Sequence, residues 1–470
     1  MPDLEFIFHP SSIAVAGVSQ HNSTADMFLD PLIQSGYKGK IYPIHHKANE
    51  VSGLKAYPSI MDVPGPVDHV TCGIRATRTP ELMRECAAKR VKLVQIFTAG
   101  FSESGEEEGI RLEKEIAEIS RRGNVRVLGP NCMGIYYPDL GISYEPSFPK
   151  DGGRIGFLAQ SGGNSMRLVM LGAARGIRFS KVVSYGNACD INEADLMEYF
   201  ADDPESKIII GYIEGTRDGR RFVRALQKAA EAKPVIMFKG GVTEAGTRAV
   251  ASHTGSLGGT DAVWSSLFRQ LGVMQVDDME ELIDLLLPFQ HWQPLRGKRV
   301  GLIGIGGGYS VLLADASARA GLIVPAFTEE LKSSLRDIVP READPGTSVH
   351  NPVDLSVSGW NPDIFSKALE TVDKYDGVDF MLLCISLHAG CIGGPLKQMI
   401  DKAVDALVIT KKKLNKPVAM VILEDFAPET RKLSSGIQEI VRQVNIPVFP
   451  SFNRAARAIS RFIQYHERRQ

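Results

Sequence analysis

Short apolar runs that stop at glycine or serine, each followed by a segment of helical length, recur from one end of the chain to the other. Ser12-Ile13-Ala14-Val15-Ala16 stops at Gly17-Val18-Ser19, the run 154–159 stops at Gln160-Ser161-Gly162-Gly163, and the run 299–305 stops at Gly306-Gly307-Gly308. Residues 40–44, 67–74, 91–98, 125–129, 181–184, 378–386 and 418–423 read as further strands. Helical runs lie between them, at 79–89, 106–121, 162–174, 261–271, 311–320 and 395–408. Strands apolar along their whole length are covered on both faces, and strands that alternate with helices pair in parallel. The pattern predicts an α/β chain with parallel sheets. Ligands of such sheets bind beyond the carboxyl ends of the strands, so the glycine and serine turns are where chemistry is expected.

A chain of 470 residues is too long for one core, since cores stop growing near ~250–300 residues. The Pro/Gly-rich stretch 146–153 and the segment Gln293-Pro294-Leu295-Arg296-Gly297 divide it into 1–145, 146–292 and 293–470. A net charge of -1 gives no electrostatic case for nucleic acid or an anionic membrane as partner. Six cysteines without a CxxC pair suit a reducing cytoplasm rather than a disulfide framework or a zinc site. The start of the chain has no basic segment leading into an apolar one, and no apolar run reaches the ~18 residues that span a bilayer. His45-His46 has no carboxylate or cysteine beside it, so no metal site is expected there.

The first third suggests a dinucleotide fold, yet the residues argue against NAD. Gly17 stands alone where Gly-x-Gly-x-x-Gly is needed, and no acidic residue closes the strand at Ile44-His45-His46. Lys47 instead offers a cation to a phosphate. In the middle third, Ser252-His253-Thr254-Gly255-Ser256-Leu257-Gly258-Gly259 sets an imidazole among small residues, downstream of Lys239-Gly240-Gly241. Read as a loop, it leaves open space and backbone N–H groups around the ring, which suits a carrier of a phosphoryl group. Ser161 is a good N-cap, and a helix start with small residues is an anion site. The run 208–214 ends in Glu214, a carboxylate able to hold one ring N–H of His253 and leave the other nitrogen free to attack.

Several of these turns carry motifs that resemble the NDP-forming acyl-CoA synthetases, a group that includes the alpha subunits of ADP-forming acetyl-CoA synthetase and, more distantly, succinyl-CoA synthetase. Gly39-Lys40-Ile41-Tyr42-Pro43, Gly53-Leu54-Lys55-Ala56-Tyr57-Pro58 and Gly129-Pro130-Asn131-Cys132-Met133-Gly134 look like its CoA-binding domain. Gly186-Asn187, Glu214-Gly215, Lys239-x-Gly241 and the His253 segment resemble its ligase domain. Asn351-Pro352-Val353-Asp354-Leu355 resembles a marker of its small ligase-CoA domain. The resemblance implies a Rossmann-like CoA-binding domain followed by two flavodoxin-like ligase domains. Gly17, Ser19, Lys47, Arg75 and Asn131 would bind CoA. His253 would be the phosphorylated nucleophile, Glu214 its partner, and Ser161, Gly162, Gly163 and Asn187 the phosphate ligands. A second helix start, at Gly306 to Ser310 or His388 to Gly394, would face the phosphohistidine.

The chain has no Gly-x-x-x-x-Gly-Lys-[Ser/Thr] and no stretch assigned to an ATP-grasp domain. The resemblance therefore implies an ATP-grasp beta subunit as partner, holding ATP or ADP and Mg²⁺, with a small carboxylic acid and its acyl-CoA as the other reactants. Arg75 and Val242 depart from family usage, which keeps an inactive CoA-binding scaffold as the alternative to an acyl-CoA synthetase.

Overall fold

The structure, a computed structural model, describes residues 4–19, 24–254, 260–339, 342, 344–425 and 427–469. They form two compact units, Met1–Met279 and Glu280–Gln470. Unit one opens with β1 (Ser12–Ala16) and β2 (Lys40–Ile44), a small ribbon of β3 (Glu50–Val51) and β4 (Leu54–Lys55), then β5 (His69–Cys72), β6 (Leu93–Ile96) and β7 (Arg126–Leu128). Its first sheet has the order β2-β1-β5-β6-β7, all parallel. Every residue of β1, β5 and β6 is buried, as expected of strands covered on both faces.

Unit one continues with β8 (Gly134–Tyr136), β9 (Ile155–Ala159), β10 (Phe179–Ser184), β11 (Ile208–Ile213), β12 (Val235–Lys239) and β13 (Met274–Val276). The second sheet has the order β13-β12-β11-β9-β10-β8. Unit two holds β14 (Val300–Gly304), β15 (Val353–Asp354), β16 (Phe380–Leu387), β17 (Val418–Glu424) and β18 (Val448–Phe449), in the order β15-β14-β16-β17-β18. With the ribbon and β8 set aside, all three sheets repeat the order 2-1-3-4-5 of a doubly wound fold. In each, the chain reverses direction between the first strand and the third. Those crevices lie between β1 and β5, between β9 and β11, and between β14 and β16.

One strand departs from the parallel expectation. β8 runs antiparallel to β10, with Ile135 opposite Val183. It reaches that edge directly from the first sheet, without a helical crossover, so nothing obliges it to run parallel. The turn Gly129 to Met133 makes the passage and is zipped to the loop after β10. Asn187 N–H donates to Pro130 O at 2.9 Å, Cys189 N–H to Gly129 O at 3.0 Å and Ile191 N–H to Val127 O at 3.1 Å. A Cβ on Gly186 would stand 2.2 Å from Pro130 O, so only glycine allows this approach.

Helix Met279–His291 is tied to helix Phe452–Glu467: Asp284 pairs with Arg454, and Glu281 accepts from Arg461 Nη1 at 2.6 Å. The border between the units thus precedes the Gln293–Gly297 segment by a helix. Among the described residues no helix is long and apolar enough to cross a membrane.

Candidate functional site

The crevice of the second sheet gathers the polar groups of the middle third. β9 and β11 run side by side with Ala159 opposite Tyr212. The next residue, Gln160, is buried, and its Oε1 accepts the backbone N–H of Glu214 at 2.8 Å and of Gly215 at 3.2 Å. Ser161 is the N-cap of helix Gly162–Ala174, its Oγ accepting Asn164 N–H at 3.3 Å. The N–H groups of Gly162 and Gly163 meet no acceptor among the described residues, as the first turn of a helix leaves them. A Cβ on Gly162 would meet Met133 Cγ at 2.5 Å, whereas Gly163 faces open space. This helix start therefore offers two unbonded donors, Gly162 half-buried and Gly163 exposed, with the positive end of a helix dipole behind them.

Glu214 lies just past β11 and is 5% exposed. Its Oε1 accepts from Tyr212 Oη at 3.0 Å, and burial, with the Glu214 charge, pushes the Tyr212 phenol well up. Tyr185, fully buried at the end of β10, has a hydroxyl without a partner among the described residues. Burial first, then the charges of Glu193 and Glu214, raise it too. At the end of β12, Lys239 Nζ donates to the carbonyl of Glu214 at 2.8 Å and to that of Gly240.

His253 stands on a different element from the one expected. Helix Glu244–Thr254 contains it, so Ser252, His253 and Thr254 continue a helix rather than open a loop. Thr243 Oγ1 receives Gly246 N–H at 3.0 Å at the helix start, and Glu244 pairs with Arg248 at 2.7 Å. Ala245, Ala249 and Ala251 then favour helix. The ring of His253 lies outside the described side chains, as do residues 255–259. The helix itself packs on the turn Ser102–Ser104 from the first part of the chain.

Asn187 is also placed differently. Its Nδ2 donates to Glu103 Oε2 at 2.5 Å and to Glu113 Oε2 at 2.9 Å, and its Oδ1 accepts from Asn131 Nδ2 at 3.5 Å. Glu113 also accepts from Ser102 Oγ at 2.5 Å and from Arg217 Nη2 at 2.9 Å. An amide held between two carboxylates is spent on them, and their charge disfavours an anion at that spot. Asn131 and Asn187 clamp the two sheets of unit one to each other, a role that no local spacing announces.

The crevice between β1 and β5 opens into a cavity of about 450 Å³. Gly17, Ser19 and Arg75 line it, joined by His45, at the strand end where ligands are expected, and by Arg78, which no motif singles out. Gly17 has φ +97°, and a Cβ there would stand 2.9 Å from Gly73 O, so the strand ends approach closely only because both carry glycine. His45 Nδ1 accepts Ala48 N–H at 2.8 Å and Lys47 N–H at 3.1 Å. Lys47 is exposed and stands outside the lining; so does Asn131. Burial, with Glu81 and Asp62 nearby, raises the Glu85 carboxyl.

In unit two, Gly306 N–H donates to Asp354 Oδ1 at 2.9 Å, which pins the glycine turn ahead of helix Gly307–Arg319. This is the physical use of Asp354 in Asn351-Pro352-Val353-Asp354. His388 Nδ1 accepts Gly390 N–H at 3.1 Å and caps the turn Ala389–Cys391. Among the described residues, no three His, Cys, Asp or Glu side chains group to hold a metal.

Residues 11–138 match a family described as a CoA binding domain, and residues 152–288 match the succinyl-CoA ligase like flavodoxin domain. The chain is 35% identical over 451 residues to the alpha subunit of acetate–CoA ligase [ADP-forming] II of Pyrococcus furiosus, covering 95% of this chain and 94% of that one. It is 36% identical over 355 residues to acetate–CoA ligase [ADP-forming] of Methanocaldococcus jannaschii, covering 75% of this chain; it spans about half, 49%, of that relative. The structure of Ca. Korarchaeum cryptofilum dinucleotide forming acetyl-coenzyme A synthetase 1, in complex with phosphate and ADP, is similar with a TM-score of 0.84 and 30% identity, covering 100% of this chain and 98% of that chain.

Proposed function

This chain belongs to the family of ADP-forming acetate–CoA ligases, and we propose that it is the alpha-type part of an acyl-CoA synthetase, carrying a phosphoryl group between an acyl phosphate and a nucleotide. An oxygen of inorganic phosphate attacks the thioester carbon of acyl-CoA. The C–S bond breaks, the phosphate's proton goes to sulfur, and CoA leaves as the thiol. A ring nitrogen of His253 then attacks phosphorus, the P–O bond to the acyl oxygen breaks, and the carboxylate departs. ADP takes the phosphoryl group from nitrogen, giving ATP and free imidazole. The reverse sequence makes acyl-CoA.

Phosphoryl transfer asks for positioning and charge neutralisation, and the chain's own residues divide that work. Residues 1–145 hold CoA through Gly17, Ser19 and Arg75 on the β1–β5 cavity. Within 146–292, Ser161, Gly162 and Gly163 receive the transferred phosphoryl oxygens. Glu214 orients the His253 imidazole and stabilises its cationic form. Residues 293–470 carry a glycine helix start of their own, at Gly306 to Ser310. ADP and Mg²⁺ belong to an ATP-grasp partner, and the acid is small, of the acetate kind. The six cysteines are all unpaired thiols, which fits the cytoplasm.

The observation that carries this reading is the pairing of open Gly162 and Gly163 amides with the buried Glu214 carboxylate at one sheet crevice. The test is to incubate the full chain with acetyl-CoA and radiolabelled phosphate. Label that is acid-labile and absent from His253→Ala supports it; label retained by His253→Ala, or an unlabelled wild type across a panel of acyl-CoAs, overturns it.

A further inference from the structure

Lys239 is the last residue of β12 and is 3% exposed. A buried ammonium is costly unless several acceptors surround it. Here the acceptors are two backbone carbonyls from two different turns, that of Glu214 after β11 at 2.8 Å and that of Gly240 after β12. The ring of Trp264, on helix Asp261–Gln270, covers the ammonium at 5.2 Å. Gly240 and Gly241 follow at once. A Cβ on Gly240 would meet Tyr212 Oη at 2.5 Å, and Gly241, at φ +71°, packs under Val250 of helix Glu244–Thr254. One side chain thus touches the carbonyl behind the Glu214 carboxylate, the turn that launches the His253 helix, and the helix that follows it.

We propose that Lys239 is a positioning residue for phosphoryl transfer, tying Glu214 to the turn that begins the His253 helix and, while it holds its proton, setting a positive charge beside Glu214. The inference rests on the reading that His253 carries the phosphoryl group. It goes beyond that reading in naming a cation that touches neither substrate nor phosphorus. The charged groups facing the ammonium are Glu214 at the end of β11 and Asp261 at the start of the next helix; Tyr212, bonded to Glu214, is the nearby titratable hydroxyl. Burial brings the lysine down to about 8, against the pull of those two carboxylates. Lys239 is therefore partly neutral just above physiological pH. Adding a phosphoryl group puts negative charge nearby and favours its protonated form, so phosphorylation weakens as the amine loses its proton.

The experiment measures the initial rate of label uptake from acetyl-CoA and radiolabelled phosphate by the full chain, between about pH 7 and pH 9.5. The wild type is expected to lose about tenfold in rate per unit above pH 8. Lys239→Arg, which keeps its proton, moves that limb beyond the range. Lys239→Met, neutral at every pH, is at least about tenfold slower at pH 7 and shows no limb. Circular dichroism confirms that each variant folds. If the limb stays at the same pH in Lys239→Met, or in a folded Lys239→Arg, Lys239 does not act in this way. A wild type that takes up no label overturns the phosphohistidine reading, and this inference with it; a labelled wild type with unmoved limbs overturns the Lys239 role alone.

Discussion

The side-chain oxygen of Gln160 accepts the backbone N–H of Glu214 at 2.8 Å and so joins the ends of β9 and β11 across the crevice of the second sheet. It holds Gly215 N–H as well. Replacing Gln160 by Leu strands two buried donors, each costing about 1–3 kcal/mol. Gln160→Leu is expected to lower the urea midpoint and, by loosening Glu214, to cut label uptake from acetyl-CoA and phosphate by about tenfold or more. Equal stability of Gln160→Leu and wild type would remove the joint.

The Asn187 clamp depends on an amide that donates to two carboxylates, Glu103 and Glu113. Asn187→Asp places a third carboxylate against them. The variant is expected to lose about 3 kcal/mol at neutral pH. Crowded carboxyls have raised folded-state pKa values, so the folded state binds more protons than the unfolded one. The deficit therefore shrinks as pH falls toward about 4. Urea titrations at a series of pH values check this; a deficit that grows on acidification contradicts it.

His69 is wholly buried on β5, and burial brings its imidazole down to about 4. A histidine lowered in the folded state opposes folding once the unfolded chain can protonate. Its neutral form carries no penalty above about pH 6.5, and stability falls between that pH and about 4, by roughly 3 kcal/mol at the lower end. Substituting His69→Gln is expected to flatten this slope. Parallel acid titrations of wild type and variant, followed by circular dichroism, decide the matter.

The β1–β5 cavity separates two effects on CoA. Gly17→Ala forces a side chain into a positive-φ position against Gly73 O, at a cost of about 1–3 kcal/mol, and is expected to abolish binding. Arg75→Ala leaves the cavity's shape intact and removes an exposed cation, so CoA affinity is expected to fall about tenfold at low salt and less at high salt. Calorimetric titration with CoA at two ionic strengths reads both. An Arg75→Ala loss that ignores salt would assign the residue a packing role instead.

Much of the fold is legible in the residues because apolar runs and glycine stops fix strands and turns locally. β1, β2 and helix Gly162–Ala174 appear where Ser12, Lys40 and Ser161 announce them. β8 has no such announcement: Gly134-Ile135-Tyr136 is too short to read, and its direction depends on a partner strand far along the chain. His253 sits among residues that suit a loop or a helix end, and the alanines before it settle the choice. The partners of Asn187 lie 84 and 74 residues away, a separation that no motif encodes. Lys239 looks like an ordinary strand-end lysine until the carbonyls it meets are known.

The passage of the backbone from β7 into β8 has a practical side for anyone dissecting the gene. A fragment starting at residue 146 would leave Val182 to Ser184 without the backbone they bond to, and a bared strand edge is a template for aggregation. A fragment stopping at residue 145 would keep an orphaned strand with no sheet of its own to join. Met1–Met279, the first compact unit, keeps both sides of that pairing, and expression yields of the three cuts should rank accordingly.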